Sequence, residues 1–79
     1  MTHDREHLEA RYSNHFEIGQ NAFEFLFDFG QDYGGSDTTS QIHTRIVTSP
    51  FFAKYFADLL WDAVHRYEEQ NGRIPDEEP

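Results

Sequence analysis

Phenylalanines at 23, 25, 27 and 29 alternate with Glu24, Leu26 and Asp28. A helix would scatter those rings around its axis, whereas a strand sets all four on one face. Such a face needs an apolar cover. Upstream, Tyr12, Asn14, Phe16 and Ile18 share one parity, and Ser13, His15 and Glu17 share the other. This predicts a second half-buried strand, joined to the first through the turn-forming run Gly19-Gln20-Asn21-Ala22. A two-residue loop at Gln20-Asn21 would pair Gly19 with Ala22, Ile18 with Phe23, Phe16 with Phe25, Asn14 with Phe27 and Tyr12 with Phe29. In that register both apolar faces coincide, and an odd-numbered slip would separate them.

Gln41 to Thr48 is rich in β-branched residues and reads as a third strand. Ile42 and Ile46 would join the Phe face, leaving His43, Arg45 and Val47 on the other. Ser49-Pro50 is a helix start, because the serine can cap a free amide and proline suits the first helical position. Asn71-Gly72, with Pro75 just beyond, is the stop. The helix between them has about 21 residues and is about 31 Å long. The expected fold is therefore α+β, a three-stranded antiparallel meander packed against one long C-terminal helix. Residues 12–74 form its single domain, 1–11 a mobile N-terminal segment and 75–79 an acidic C-terminal tail. The polar connection 31–40, with Gly34-Gly35 inside it, is expected to be flexible.

On a wheel of 100° per residue, Phe52, Phe56, Leu59, Leu60, Ala63 and Tyr67 form a stripe that would cover the sheet. Ala53, Ala57, Val64 and Trp61 extend the apolar arc by about another 100°, more than one small sheet can cover. Ala53, Ala57, Leu60, Trp61 and Val64 are therefore the expected self-association face. Length points the same way, since a chain of 79 residues buries only about 60–65% of the surface its unfolded form exposes and there is no Cys to supply a disulfide. A homodimer, with room for a further protein partner, is the expected state.

Composition narrows the function classes. Fifteen acidic against six basic residues give a net charge of −9, which repels phosphate backbones and anionic lipid. Nucleic acid and membrane are not expected partners. No run approaches the ~18 apolar residues of a membrane span, and the N-terminus lacks a signal-peptide core. With no Cys, the expectation is a soluble cytoplasmic protein.

The motifs Tyr12-x-Asn14, Glu24-Phe25 through Asp28-Phe29-Gly30, Arg45 with Ser49-Pro50 before Ala53-Lys54, and Tyr67-Glu68 with Gly72 and Ile74 span residues 12–74. In this order the chain resembles a family of small bacterial and archaeal proteins catalogued only as a domain of unknown function. That resemblance implies a small sheet-plus-helix protein and supplies no activity, ligand or catalytic residue.

Chemical sites are sparse. His3 and His7 are spaced as on one helical face, but two ligands fall short of the usual three or four. On the second sheet face, the register above sets Glu17 opposite Glu24 and His15 opposite Leu26. If the third strand pairs with sums of 71, His43 faces Asp28 and Arg45 faces Leu26. His15, Asp28, His43 and Arg45 are thus the candidate polar site of the alternative function, a small ligand- or metal-binding protein. Gly30-x-x-x-Gly34-Gly35-Ser36 lacks the lysine and the following helix of a phosphate loop. With no Cys nucleophile and no Ser beside a His/Asp constellation, no catalysis and no cofactor are expected. The leading expectation is a non-enzymatic, self-associating interaction module.

Overall fold

The computed structural model describes residues 7–33 and 41–77. Three strands, β1 (His15–Gln20), β2 (Phe25–Gln31) and β3 (Gln41–Thr48), are followed by one helix, α1 (Pro50–Asn71). The strands form one antiparallel sheet in the order β1-β2-β3, so the meander and the long C-terminal helix are as the sequence predicts.

The hairpin register differs by four residues. Ile18 pairs with Phe27, Phe16 with Phe29, Glu17 with Asp28, and Gln20 with Phe25. The loop is thus Asn21–Glu24, not Gln20-Asn21, and β1 begins at His15, not Tyr12. The cause is Asn21, whose Oδ1 accepts hydrogen bonds from Phe23 N at 2.8 Å and Glu24 N at 3.0 Å. Its backbone N also donates to Glu24 O at 3.0 Å. These bonds hold a wider turn closed than a two-residue loop allows. Because the shift is even, every β1 and β2 side chain keeps its face. Phe23, the one ring expelled from the pattern, stands in the turn at 85% exposure.

The second pairing departs from sums of 71 as well. Asp28 faces Arg45 and not His43; Leu26 faces Val47 and not Arg45. A register irregularity between Phe29 and Gly30 then sets Phe29 opposite Thr44 and Gly30 opposite Ile42. His43 is the extra residue of this β-bulge. The bulge puts Ile42 in Gly30's row, on the Asp28 side, and removes it from the Phe face expected for it. Three rows remain beneath the helix: Phe16, Phe29 and Thr44; Ile18, Phe27 and Ile46; Gln20, Phe25 and Thr48.

Only Ser49 separates β3 from α1. Its side chain accepts from Phe52 N, its carbonyl accepts from Ala53 N at 2.9 Å, and Pro50 occupies the first turn. At the other end Gly72, at φ 90°, caps the helix by donating to Glu68 O. A side chain disfavours that left-handed φ, so glycine suits the position. Both helix boundaries lie where the capping residues place them.

Candidate functional site

The helix meets the sheet through its first three turns. Phe56 packs on Phe27 with ring centroids 5.6 Å apart. Phe52 and Phe56 join Phe27, Phe29, Ile46 and Thr48 along one open groove of about 250 Å³. On the other flank Ala53, Ala57 and Leu60 face Ile18, Phe25 and Phe27 across a groove of about 350 Å³. Beyond Leu60 the lining changes. Ala63, Val64 and Tyr67 line a third groove with Ile74 of the C-terminal segment, and no sheet residue takes part.

The consequence is that the described residues enclose no core. Among the described residues only Asp28, Gly30 and Ala53 are buried, and no large side chain is fully enclosed. Phe16 is 59% exposed, Ile18 62% and Trp61 68%. Phe52, Phe56, Leu59, Leu60, Tyr67 and Ile46 are each about half exposed. Single exposed apolar residues are ordinary on a protein surface; here large apolar residues of both the sheet and the helix are exposed.

The proposed association residues divide along this line. Ala53, expected on the free seam, is instead the most buried residue of α1 and lines the groove with Ile18, Phe25 and Phe27 of the sheet. Ala57 and Leu60 border the contact and remain exposed. Trp61 and Val64 lie past it, with Trp61 packed on His65 at 4.5 Å between ring centroids.

On the opposite sheet face, Arg45 grips Asp28 with two charge-assisted bonds, Nε to Oδ1 at 2.7 Å and Nη2 to Oδ2 at 2.9 Å. The bond from Arg45 is the main reason that the Asp28 carboxyl titrates below its ordinary value, against the opposing effect of its burial. The same pair, with Glu17 nearby, raises the Arg45 guanidinium. His15 Nε2 donates to Glu17 Oε2 at 2.8 Å. His43 points elsewhere: Nε2 lies 3.0 Å from Tyr12 O and Nδ1 2.7 Å from Thr44 Oγ1. A carbonyl only accepts, so Nε2 carries the hydrogen and Nδ1 accepts from the threonine hydroxyl. Both ring nitrogens are thereby engaged. His15, Asp28, His43 and Arg45 do not converge on one point, and among the described residues no group of three or more His, Cys, Asp or Glu could hold a metal ion. His3 and the run 34–36 lie outside the described residues.

Gly30 and Asn14 carry structural roles that pattern reading missed. A Cβ built on Gly30 would stand 2.3 Å from Gln41 O and 2.9 Å from its carbonyl carbon. This bare stretch of β2 lets β3 close in at the bulge. Gly30 O also accepts from Asn14 N at 3.1 Å and lies 2.8 Å from Ser13 Oγ. The Asn14 amide extends the pairing beyond β1, accepting from Asp32 N at 2.7 Å and donating to Asp32 O at 3.1 Å. The available signal was Asn14 itself, a polar residue on the parity of Phe16 and Ile18.

The fold defines a small α+β protein whose described residues leave much of the apolar sheet-and-helix face exposed. The chain belongs to the family described as Protein of unknown function (DUF3467), whose model matches residues 2–76. No curated protein and no solved structure matches it. Among the described residues no helix is long and apolar enough to cross a membrane.

Proposed function

We propose that the protein is a non-enzymatic, cytoplasmic interaction module that acts by self-association, with two copies covering each other's apolar surfaces. The observation that carries this is the absence of a closed core among the described residues, where Phe16, Ile18, Ile46, Phe52, Phe56, Leu59, Leu60, Trp61 and Tyr67 are each about half to two-thirds exposed. At ~200 Å² for each such side chain when free, about 1,000 Å² of apolar surface per copy lacks a cover. A typical monomer's largest apolar patch is about 300–600 Å². Two copies covering each other would bury about 2,000 Å², where permanent homodimers begin.

The net charge of −9 supports a protein partner over nucleic acid or anionic lipid. Ligand or metal binding on the polar sheet face has no such support, because Asp28 is held by Arg45 and His43 is engaged at both nitrogens. Sedimentation velocity across a dilution series of untagged protein tests the proposal. A dimer that dissociates only on dilution is expected, and a monomer at high micromolar concentration would refute it.

A further inference from the structure

We infer that the dimer is reciprocal: the C-terminal half of α1 in each copy lies on β1 of the other, with Val64 and Tyr67 covering Phe16 and Ile18. This rests on the self-association proposed above and specifies which surfaces meet. Ala53, Ala57, Leu60, Val64 and Tyr67 follow one another at spacings of four and three, so they form one straight stripe along the helix. The stripe begins against the chain's own sheet, where Ala53 is buried, and continues beyond it. Leu60 is the last of its residues to line a groove with the sheet.

The remaining length, Trp61 to Asn71, amounts to about 16 Å of helix. It cannot fold back onto its own sheet, because α1 contains no glycine, and no proline after Pro50, to kink it. Meanwhile the chain's own helix leaves β1 poorly covered. Phe16 lines neither helix–sheet groove and is 59% exposed, touching mainly Phe29 in an edge-to-face contact at 5.9 Å. Six residues of β1 span about 20 Å, which suits this length of helix. There, among the described residues, Ile74 of the C-terminal segment is the one residue outside α1 that lines a groove with Val64 and Tyr67, and Tyr67 stays 53% exposed.

A helix end that meets no sheet residue and a sheet edge that its own helix covers only at Ile18 are satisfied together by a two-fold exchange. Each copy then supplies what the other lacks. A seam of helix on helix would cover Val64 and Tyr67 but leave Phe16 and Ile18 in water. Reciprocal cover takes all four out of water and so contributes to the ~2,000 Å² at which permanent dimers begin.

The two interfaces of a reciprocal dimer allow a complementation test. Phe16→Lys alone and Val64→Glu alone should each weaken dimerisation by more than about 100-fold, since each sets an unpaired charge against an apolar surface twice. Mixed in equal amounts, the variants should restore a heterodimer in which one seam is wild type and the other pairs Lys with Glu. Circular dichroism establishes that each variant is folded.

If either variant fails to fold, single cysteines at 16, 18, 64 and 67 provide a second readout, since the natural chain has no Cys. Mild oxidation of mixed pairs should link a β1 cysteine to an α1 cysteine between copies. A dimer that tolerates Phe16→Lys, or that forms only helix-to-helix links, would overturn the reciprocal arrangement and leave self-association standing. A monomeric wild type would remove both.

Discussion

Replacing Gly30 by alanine adds one methyl group where the backbone leaves no room. The new Cβ would lie 2.3 Å from Gln41 O, 2.9 Å from its carbonyl carbon and 3.1 Å from Ile42 Cα. All three are backbone atoms, so no side chain can swing aside. The strands must part at the bulge, weakening the pairing of Gly30 with Ile42 and of Gln31 with Gln41. Overpacking of this kind costs about 1–3 kcal/mol, and a rigid obstacle puts Gly30→Ala near the top of that range. Gly19→Ala is the control, because its Cβ would meet Leu26 Cβ at an ordinary 3.7 Å. That change should stay within about 0.5 kcal/mol of wild type. Urea unfolding at one fixed protomer concentration compares the two, since stability coupled to association varies with concentration. In thermal unfolding, a gap of about 2 kcal/mol corresponds to about 8–16 °C for a domain of this size. Equal midpoints for Gly30→Ala and Gly19→Ala would refute the close approach of β2 and β3 and the bulge that depends on it.

The four-residue turn predicts unequal roles for two rings, with Phe27→Ala costing about 3 kcal/mol and Phe23→Ala less than about 0.5 kcal/mol in the same urea assay. Ser49→Ala removes the cap on Phe52 N and should lower stability by about 1 kcal/mol, with little loss of helical circular dichroism at low temperature. Because Arg45 depresses the folded-state titration of Asp28, that carboxylate stabilises the fold above its unfolded pKa of about 3.9, and the contribution is lost as pH falls through the lower folded value. Asp28→Asn should therefore flatten the acid side of a stability–pH profile relative to wild type, and an unchanged slope would contradict the ion pair's role. Added salt should tighten the dimer, because each copy carries −9 and the Debye length shrinks from ~30 Å at 0.01 M to ~8 Å at 0.15 M. Weaker association in salt would show that ion pairs, not apolar cover, hold the copies together.

Much of the architecture is local information. Alternating parity selects strand over helix at Phe25–Phe29, and the Ser49-Pro50 and Gly72 signals delimit α1, because these preferences arise within one turn or one pleat of chain. The even shift of the hairpin left the faces intact for the same reason: parity survives any even change in register. The register itself depended on Asn21, whose two bonds to the following amides outweighed the simpler loop.

What pairs with what across the sheet was a tertiary matter. His43 and Asp28 are partners only in a register of sums of 71. The observed register gives Asp28 to Arg45, and the bulge opposite Gly30 leaves His43 as the extra residue, its Nε2 3.0 Å from Tyr12 O, 31 positions away. The helix shows the same division. Its excess of apolar surface is visible from the wheel, because composition and periodicity set how much of a helix avoids water. Which part meets the sheet is set by long-range packing, which buries Ala53 beside Ile18, Phe25 and Phe27 although the wheel alone put it on the free side. The sequence by itself thus determined that the helix carries more apolar arc than one small sheet can cover. Tertiary structure decided which of the described residues stay exposed, Trp61 and Tyr67 where α1 runs past the contact and Phe16 and Ile18 on the β1 edge among them, because a straight helix crosses only part of the sheet.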